Sequence, residues 1–151
     1  AWSNAMRSTT KALVCGAWLL CMDVASSHHA FAPVYDGGRT VTVAGVVTAF
    51  RLVNPHAQMS VHVTDDAGKV VTWNVEFDGR LNLTNGGWSD DTVAVGERLT
   101  ITGNPTHTGS SRMFFISLQK ADGTALLRPA IARLQALEGQ RRQRKQPAAT
   151  P

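Results

Sequence analysis

Cysteine is scarce, charge is sparse and aromatic residues are few. The 151 residues include two cysteines, 17% charged residues and 7% aromatics. Both cysteines, Cys15 and Cys21, fall in an apolar stretch from Ala12 to Met22. Val14 and Leu20 precede them, not the small residue that lipid attachment requires. Everything after that stretch lacks cysteine, which excludes disulfides and thiolate-bound copper of the cupredoxin kind. No run reaches the roughly 18 apolar residues of a membrane-spanning helix. Also missing are the G-x-S-x-G elbow of serine hydrolases and the G-x-G-x-x-G and Walker phosphate cradles. The acidic pairs Asp65-Asp66 and Asp90-Asp91 read as solvated turns rather than glycosidase carboxylates.

What is present begins with a targeting segment. Met6 reads as the initiator, with the five residues before it as upstream read-through or an added scar. Arg7 and Lys11 form a short basic region, Ala12 to Met22 an apolar core, and Ala25, Ser26 and Ser27 a small-residue cleavage region. That layout is a secretory signal peptide, so residues 1–27 are assigned to it and a periplasmic or secreted bacterial location is expected. The net charge of +4 is then misleading. Removing Arg7, Lys11 and Asp23 leaves 13 basic and 10 acidic residues, and four basic ones (Arg141, Arg142, Arg144, Lys145) crowd the end of the chain. The remaining body is slightly acidic, without the clustered basic face of a nucleic-acid binder. Neither nucleic acid nor stable membrane insertion after cleavage is expected.

Between residues 28 and 126 the pattern is all β. Residues 30–39 read as an extended lead-in. Thr40 to Phe50 is rich in Val and Thr, and Gly45 inside it marks a bulge or sharp bend. Ala57 to Thr64 alternates, with Ala57, Met59, Val61 and Val63 on one face. After the turn Asp65-Asp66-Ala67-Gly68, Val71, Trp73, Val75 and Phe77 point inward. Keeping both apolar sets together pairs Val63 with Val71 and Met59 with Val75. His62 then faces Thr72, Ser60 faces Asn74 and Gln58 faces Glu76. A long connection from Asp78 to Gly96 has room for a short helix, and Trp88 within it reads first as a core lid and second as part of a ligand surface. Arg98 to Gly103 and Met113 to Lys120 complete five strands. Pro129 fits the first turn of a short helix to about Leu137. A polar, basic tail expected to be disordered closes the 127–151 region. The strand order resembles the OB-fold, a five-stranded, partly open barrel, which by itself assigns no activity.

The motifs His28-His29-Ala30-Phe31, Val53-Asn54-Pro55-His56, Trp73-Asn74-Val75-Glu76, Gly87-Trp88 and Gly103-Asn104-Pro105 follow in order. This series resembles a family of small exported bacterial proteins of unknown function that begin with His-His-Ser-Phe and carry Val-Asn-Pro-His. Ala30 stands where that family usually has Ser. The resemblance spans His28 to about Leu118 and implies export and a β-rich fold, with no activity or catalytic residue.

The metal-ligand candidates are His28, His29 and His56. Cleavage after Ser27 would make His28 the first residue, whose amine and imidazole can chelate one copper ion. Cleavage after Ser26 would make His29 the third, where amine, backbone amides and imidazole wrap Cu(II) or Ni(II) in a plane. With an amine pKa of about 8, occupancy should fall in mild acid. His56, after Asn54-Pro55, stands at the entry to the second strand. Extending the register by one pair sets it opposite Asp78 and near Glu76, so a carboxylate can orient it. Its simpler role is to cap that turn with a hydrogen bond. His62 lies roughly 20 Å from His56 along one strand and cannot share an ion with it. His107 sits in a turn and reaches a site only if that turn folds over the barrel mouth. Two functions are expected: copper binding by a non-enzymatic exported protein, or a metal-free module holding a small ligand or protein partner. An enzyme ranks third, since no constellation argues for one.

Overall fold

A computed structural model describes residues 31–145. The elements are β1 (Val41–Arg51), β2 (Gln58–Thr64), β3 (Val70–Glu76), α1 (Arg80–Asn85), β4 (Arg98–Pro105), β5 (Arg112–Lys120), β6 (Ala125–Leu127) and α2 (Pro129–Lys145). The sheet runs β3-β2-β1-β4-β5-β6, and a parallel pairing of β3 with β5 closes β1 to β5 into a barrel. This is the OB-fold order with a helix between the third and fourth strands. The barrel is closed rather than partly open, because Asn74, Val75 and Glu76 of β3 pair with Arg112, Met113 and Phe114 of β5. A sixth, short strand lies outside it on β5. Helix α2 starts at Pro129 as expected and runs past Leu137 through the basic residues to Lys145.

The β2–β3 register is the one its alternation demands, from Gln58↔Glu76 through Met59↔Val75 to Val63↔Val71. A one-residue slip would turn Met59, Val61 and Val75 out of the core. β1 serves both sides of the barrel: Val41 to Val46 pair with β4, and Val46 to Arg51 pair with β2. Gly45 lies where the two ladders converge. A Cβ there would stand 2.4 Å from the His62 carbonyl oxygen and 2.6 Å from a Val61 methyl. The bulge itself comes three residues later, at Thr48, between Val47 and Ala49. The extra residue turns its hydroxyl to the Ser60 carbonyl at 3.2 Å.

Fifteen buried residues from every barrel strand and the β3–β4 connection form one core, centred on Met59, Phe77, Met113 and Phe115. Phe77 stacks on Phe115 at 4.4 Å, and Trp88 meets both edge-on. Trp88 is 5% exposed and is therefore core, not a ligand surface. Its placement follows from the stop signal of α1. Gly87 adopts φ 88°, donating to Thr84 O, while the Trp88 amide reaches back to Leu83 O. That double bond pattern ends a helix on a left-handed glycine and brings the following side chain onto the last turn, so Trp88 folds in beside buried Leu83. Residues 31–36 are not a plain extended lead-in. They make a turn, with the Val34 and Tyr35 amides on Phe31 O, before Tyr35 bridges to Thr106.

Gly45→Ala is expected to lower unfolding free energy by about 1–3 kcal/mol through overpacking against backbone, read as a lower urea midpoint with unchanged slope. An unchanged midpoint would mean the two ladders do not meet as tightly as drawn.

Candidate functional site

The polar side chains gather where β3 and β5 close the barrel. Glu76 ends β3, and its carboxylate is 14% exposed. Its Oε2 accepts from the Tyr35 hydroxyl at 2.7 Å and from the Arg112 guanidinium. Its Oε1 lies 3.6 Å from His56 Nδ1. Four segments far apart in sequence thus meet at one carboxylate: the 31–36 turn, the β1–β2 loop, β3 and β5. Arg112 also stands over the Tyr35 ring, 5.5 Å from its centre. Arg128 mirrors it over Phe114 at 4.6 Å while gripping Asp78 through Nε and Nη2, both at 2.8 Å.

His56 is set by its loop. The Asn54–Pro55 peptide is cis, Asn54 Oδ1 accepts from the Arg80 amide, and Arg80 Nη1 donates to Leu52 O. Ala57 then exchanges backbone bonds with Phe77 and Asp78 as β2 begins. His56 Nδ1 lies 3.1 Å from the Phe77 carbonyl oxygen. A carbonyl only accepts, so Nδ1 carries a hydrogen, and in the neutral ring Nε2 is then the nitrogen with the lone pair. The expected carboxylate neighbour is Glu76. Asp78, the other candidate, is occupied by Arg128. The hydrogen bond does not cap the Asn54-Pro55 turn as expected; it crosses to the end of β3 at Phe77. His56 borders an open groove of about 360 Å³, whose polar lining includes Arg51, Asn54, Gln58, Glu76 and Arg112.

His28 and His29 lie outside the described residues, which begin two positions after His29. Phe31 packs on Tyr35 at 5.5 Å and edge-on to Phe114 at 5.1 Å. The turn at His107 does fold over this end of the barrel. His107 Nε2 donates to Ala32 O at 3.0 Å, and its amide bonds Val34 O. His62 is exposed on the outer face opposite Thr72. Among the described residues no three His, Cys, Asp or Glu side chains come together as a metal site.

Sequence reasoning missed Tyr35 and Arg112. They lie 41 and 36 positions from Glu76, and long-range pairings that no local pattern encodes bring them there: β3 with β5 for Arg112, and the Tyr35–Thr106 bridge for Tyr35.

Burial, and then the Glu76 carboxylate, push the Tyr35 hydroxyl well above its ordinary value, since ionising it would set two anions side by side. The hydrogen bond to Glu76 raises Arg112 as well.

The comparisons place this arrangement in a family. The model of a family of unknown function, DUF6152, matches residues 17–114. The chain belongs to DUF6152. The matched span takes in His28, His29, His56, Glu76 and Arg112, and it ends before β6 and α2. No curated protein matches the sequence. Among solved structures, the DUF6152 chain is similar to the mitochondrial single-stranded DNA binding protein Rim1 of S. cerevisiae. That match has 9% identity and a TM-score of 0.43, covering 55% of this chain and 93% of that one. It is also similar to a small single-stranded DNA-binding protein of Streptomyces coelicolor, at 13% identity and TM-score 0.34, covering 54% and 90%.

Tyr35 is the only tyrosine, so alkaline ultraviolet titration reads it directly. Phenolate absorbance should rise only well above the ordinary pKa of about 10, and in Glu76→Gln the rise should move back toward it. Because the folded pKa is raised, Tyr35's contribution to stability is complete below about pH 10 and is lost as pH climbs through the folded value. A titration at the ordinary value in the native protein would break the Tyr35–Glu76 link.

Proposed function

We propose that this protein is exported and binds copper, its processed N-terminus supplying His28 and His29 and the barrel supplying His56. It would then serve as a carrier, sensor or accessory of a redox system. The observation that supports this best is the hydrogen bond from His56 Nδ1 to Phe77 O. A histidine held that way has one nitrogen committed inward and the other free to ligate, and a Glu76 oxygen 3.6 Å from Nδ1 flanks the committed edge. Imidazole and amine nitrogens suit Cu(II). The reading also draws support from Phe31, which follows His28 and His29 closely and packs on Tyr35, itself bonded to Glu76. Arg112, one of the two cations lining the groove beside His56, is paired with Glu76.

A second reading has its own observation. The groove beside His56 presents the ends of Arg51, Asn54, Gln58 and Arg112, a lining that suits a small polar ligand bound without metal.

Protein processed by a bacterial host separates the two. Intact mass fixes the N-terminus, and copper titration followed by electron paramagnetic resonance compares the native chain with His28→Ala/His29→Ala and with His56→Ala. Stoichiometric copper with nitrogen hyperfine structure is expected. The double variant should lose it, and His56→Ala should weaken it by at least roughly 10- to 100-fold, since losing a ligand costs no less than losing a partner that only orients one. Binding should fall as pH drops below the amine pKa of about 8. Weak copper binding unaffected by any of these changes would remove the copper reading and leave the metal-free module.

A further inference from the structure

Helix α2 is the part of the molecule that the barrel does not use. Its root is fixed: Arg128 grips Asp78 with two bonds, and Pro129 packs so closely on α1's end that a Cβ on Gly86 would lie 2.5 Å from the proline ring. From Ala132 to Lys145 every residue is exposed, including Leu134 at 61% and Leu137 at 49%.

The residues of α2 are sorted around its axis. At about 100° per residue, Ile131, Leu134 and Leu137 share one half of the circumference with all five basic residues: Arg133, Arg141, Arg142, Arg144 and Lys145. Glu138, the helix's one acidic residue, lies there too. The opposite half carries Ala132, Gln135, Ala136, Gly139, Gln140 and Gln143, with no charge at all. A cation in the last turn is explained by the helix dipole. That explanation does not account for one charged half and one neutral half, nor for two leucines left in water. Beyond its root no described residue packs on α2, and a helix of about that length is marginal in water by itself.

We propose that α2 docks, leucine and arginine side down, on an anionic phospholipid surface, holding the slightly acidic barrel beside the membrane without inserting it. The half that carries five cations also carries Ile131, Leu134 and Leu137, so an anionic bilayer can hold it mainly by charge, with shallow burial of the leucines added. A flat anionic surface can meet all five cations at once. No helix of the described residues is long and apolar enough to cross a bilayer, so the contact is peripheral.

Vesicle flotation with the processed protein tests this, comparing phosphatidylcholine vesicles with and without phosphatidylglycerol. Binding is expected only with the anionic lipid, and it should disappear in high salt. Arg141→Gln/Arg142→Gln/Arg144→Gln/Lys145→Gln should weaken it on the order of a hundredfold or more. Leu134→Ser/Leu137→Ser should also weaken it, whereas Gln135→Ala/Gln140→Ala on the neutral half should not. Circular dichroism confirms that each variant folds. No flotation with anionic vesicles, flotation equal in the four-residue variant, or salt-sensitive binding to polyglutamate without binding to vesicles would each overturn the proposal.

Discussion

A single carboxylate ties this barrel's working end together. Glu76 stands at the last position of β3, where that strand meets β5, and it is mostly withdrawn from water. A charge in that position is costly unless it is paired and hydrogen-bonded. The Tyr35 hydroxyl and Arg112 guanidinium meet that need, one from the turn that enters the barrel and one from the strand that closes it. The same demand draws the 31–36 turn onto the barrel, where Phe31, Tyr35 and Phe114 pack as an aromatic cluster. His56 then finds a carboxylate on one side and the Phe77 carbonyl on the other, which orients its ring.

The two ends of the chain relate to the barrel differently. The entering segment is held by many contacts: His107 on Ala32 and Val34, Asp36 on Pro105, and Tyr35 on Glu76. The leaving segment is held at one point, the Arg128–Asp78 pair with Pro129 against α1, and then projects as an exposed helix. Chemistry proposed near the first and surface attachment proposed for the second make separate demands, so either can hold without the other.

Local periodicity made much of the fold legible. The alternation from Ala57 to Phe77 dictated the hairpin register to the residue, because a slip would have exposed the apolar faces of both strands. Gly45 signalled a tight place, although the bulge fell at Thr48, since close approach and an extra residue are separate ways of bending one strand. Gly86-Gly87-Trp88 holds the stop of the short helix for which the long connection had room. Barrel closure was not legible. The parallel β3–β5 contact spans three residue pairs and leaves no repeat or turn signal in the sequence, so Arg112 gave no hint of meeting Glu76. Nor did Tyr35, which arrives through its bridge to Thr106. His56 was recognisable from its position after Asn54-Pro55, but its true acceptor is a backbone carbonyl, which side-chain reasoning does not see.

The central claim is that His56 has Nδ1 committed to Phe77 and Nε2 free for a metal ion. Nitrogen-15 NMR of the histidine rings measures the first half directly in the absence of metal, and substoichiometric Cu(II) added to the processed protein measures the second by paramagnetic broadening. The account predicts a metal-free His56 ring protonated at Nδ1, whose resonances broaden with Cu(II) well before those of His62. A ring protonated at Nε2 alone, or His56 resonances untouched by Cu(II), would contradict it.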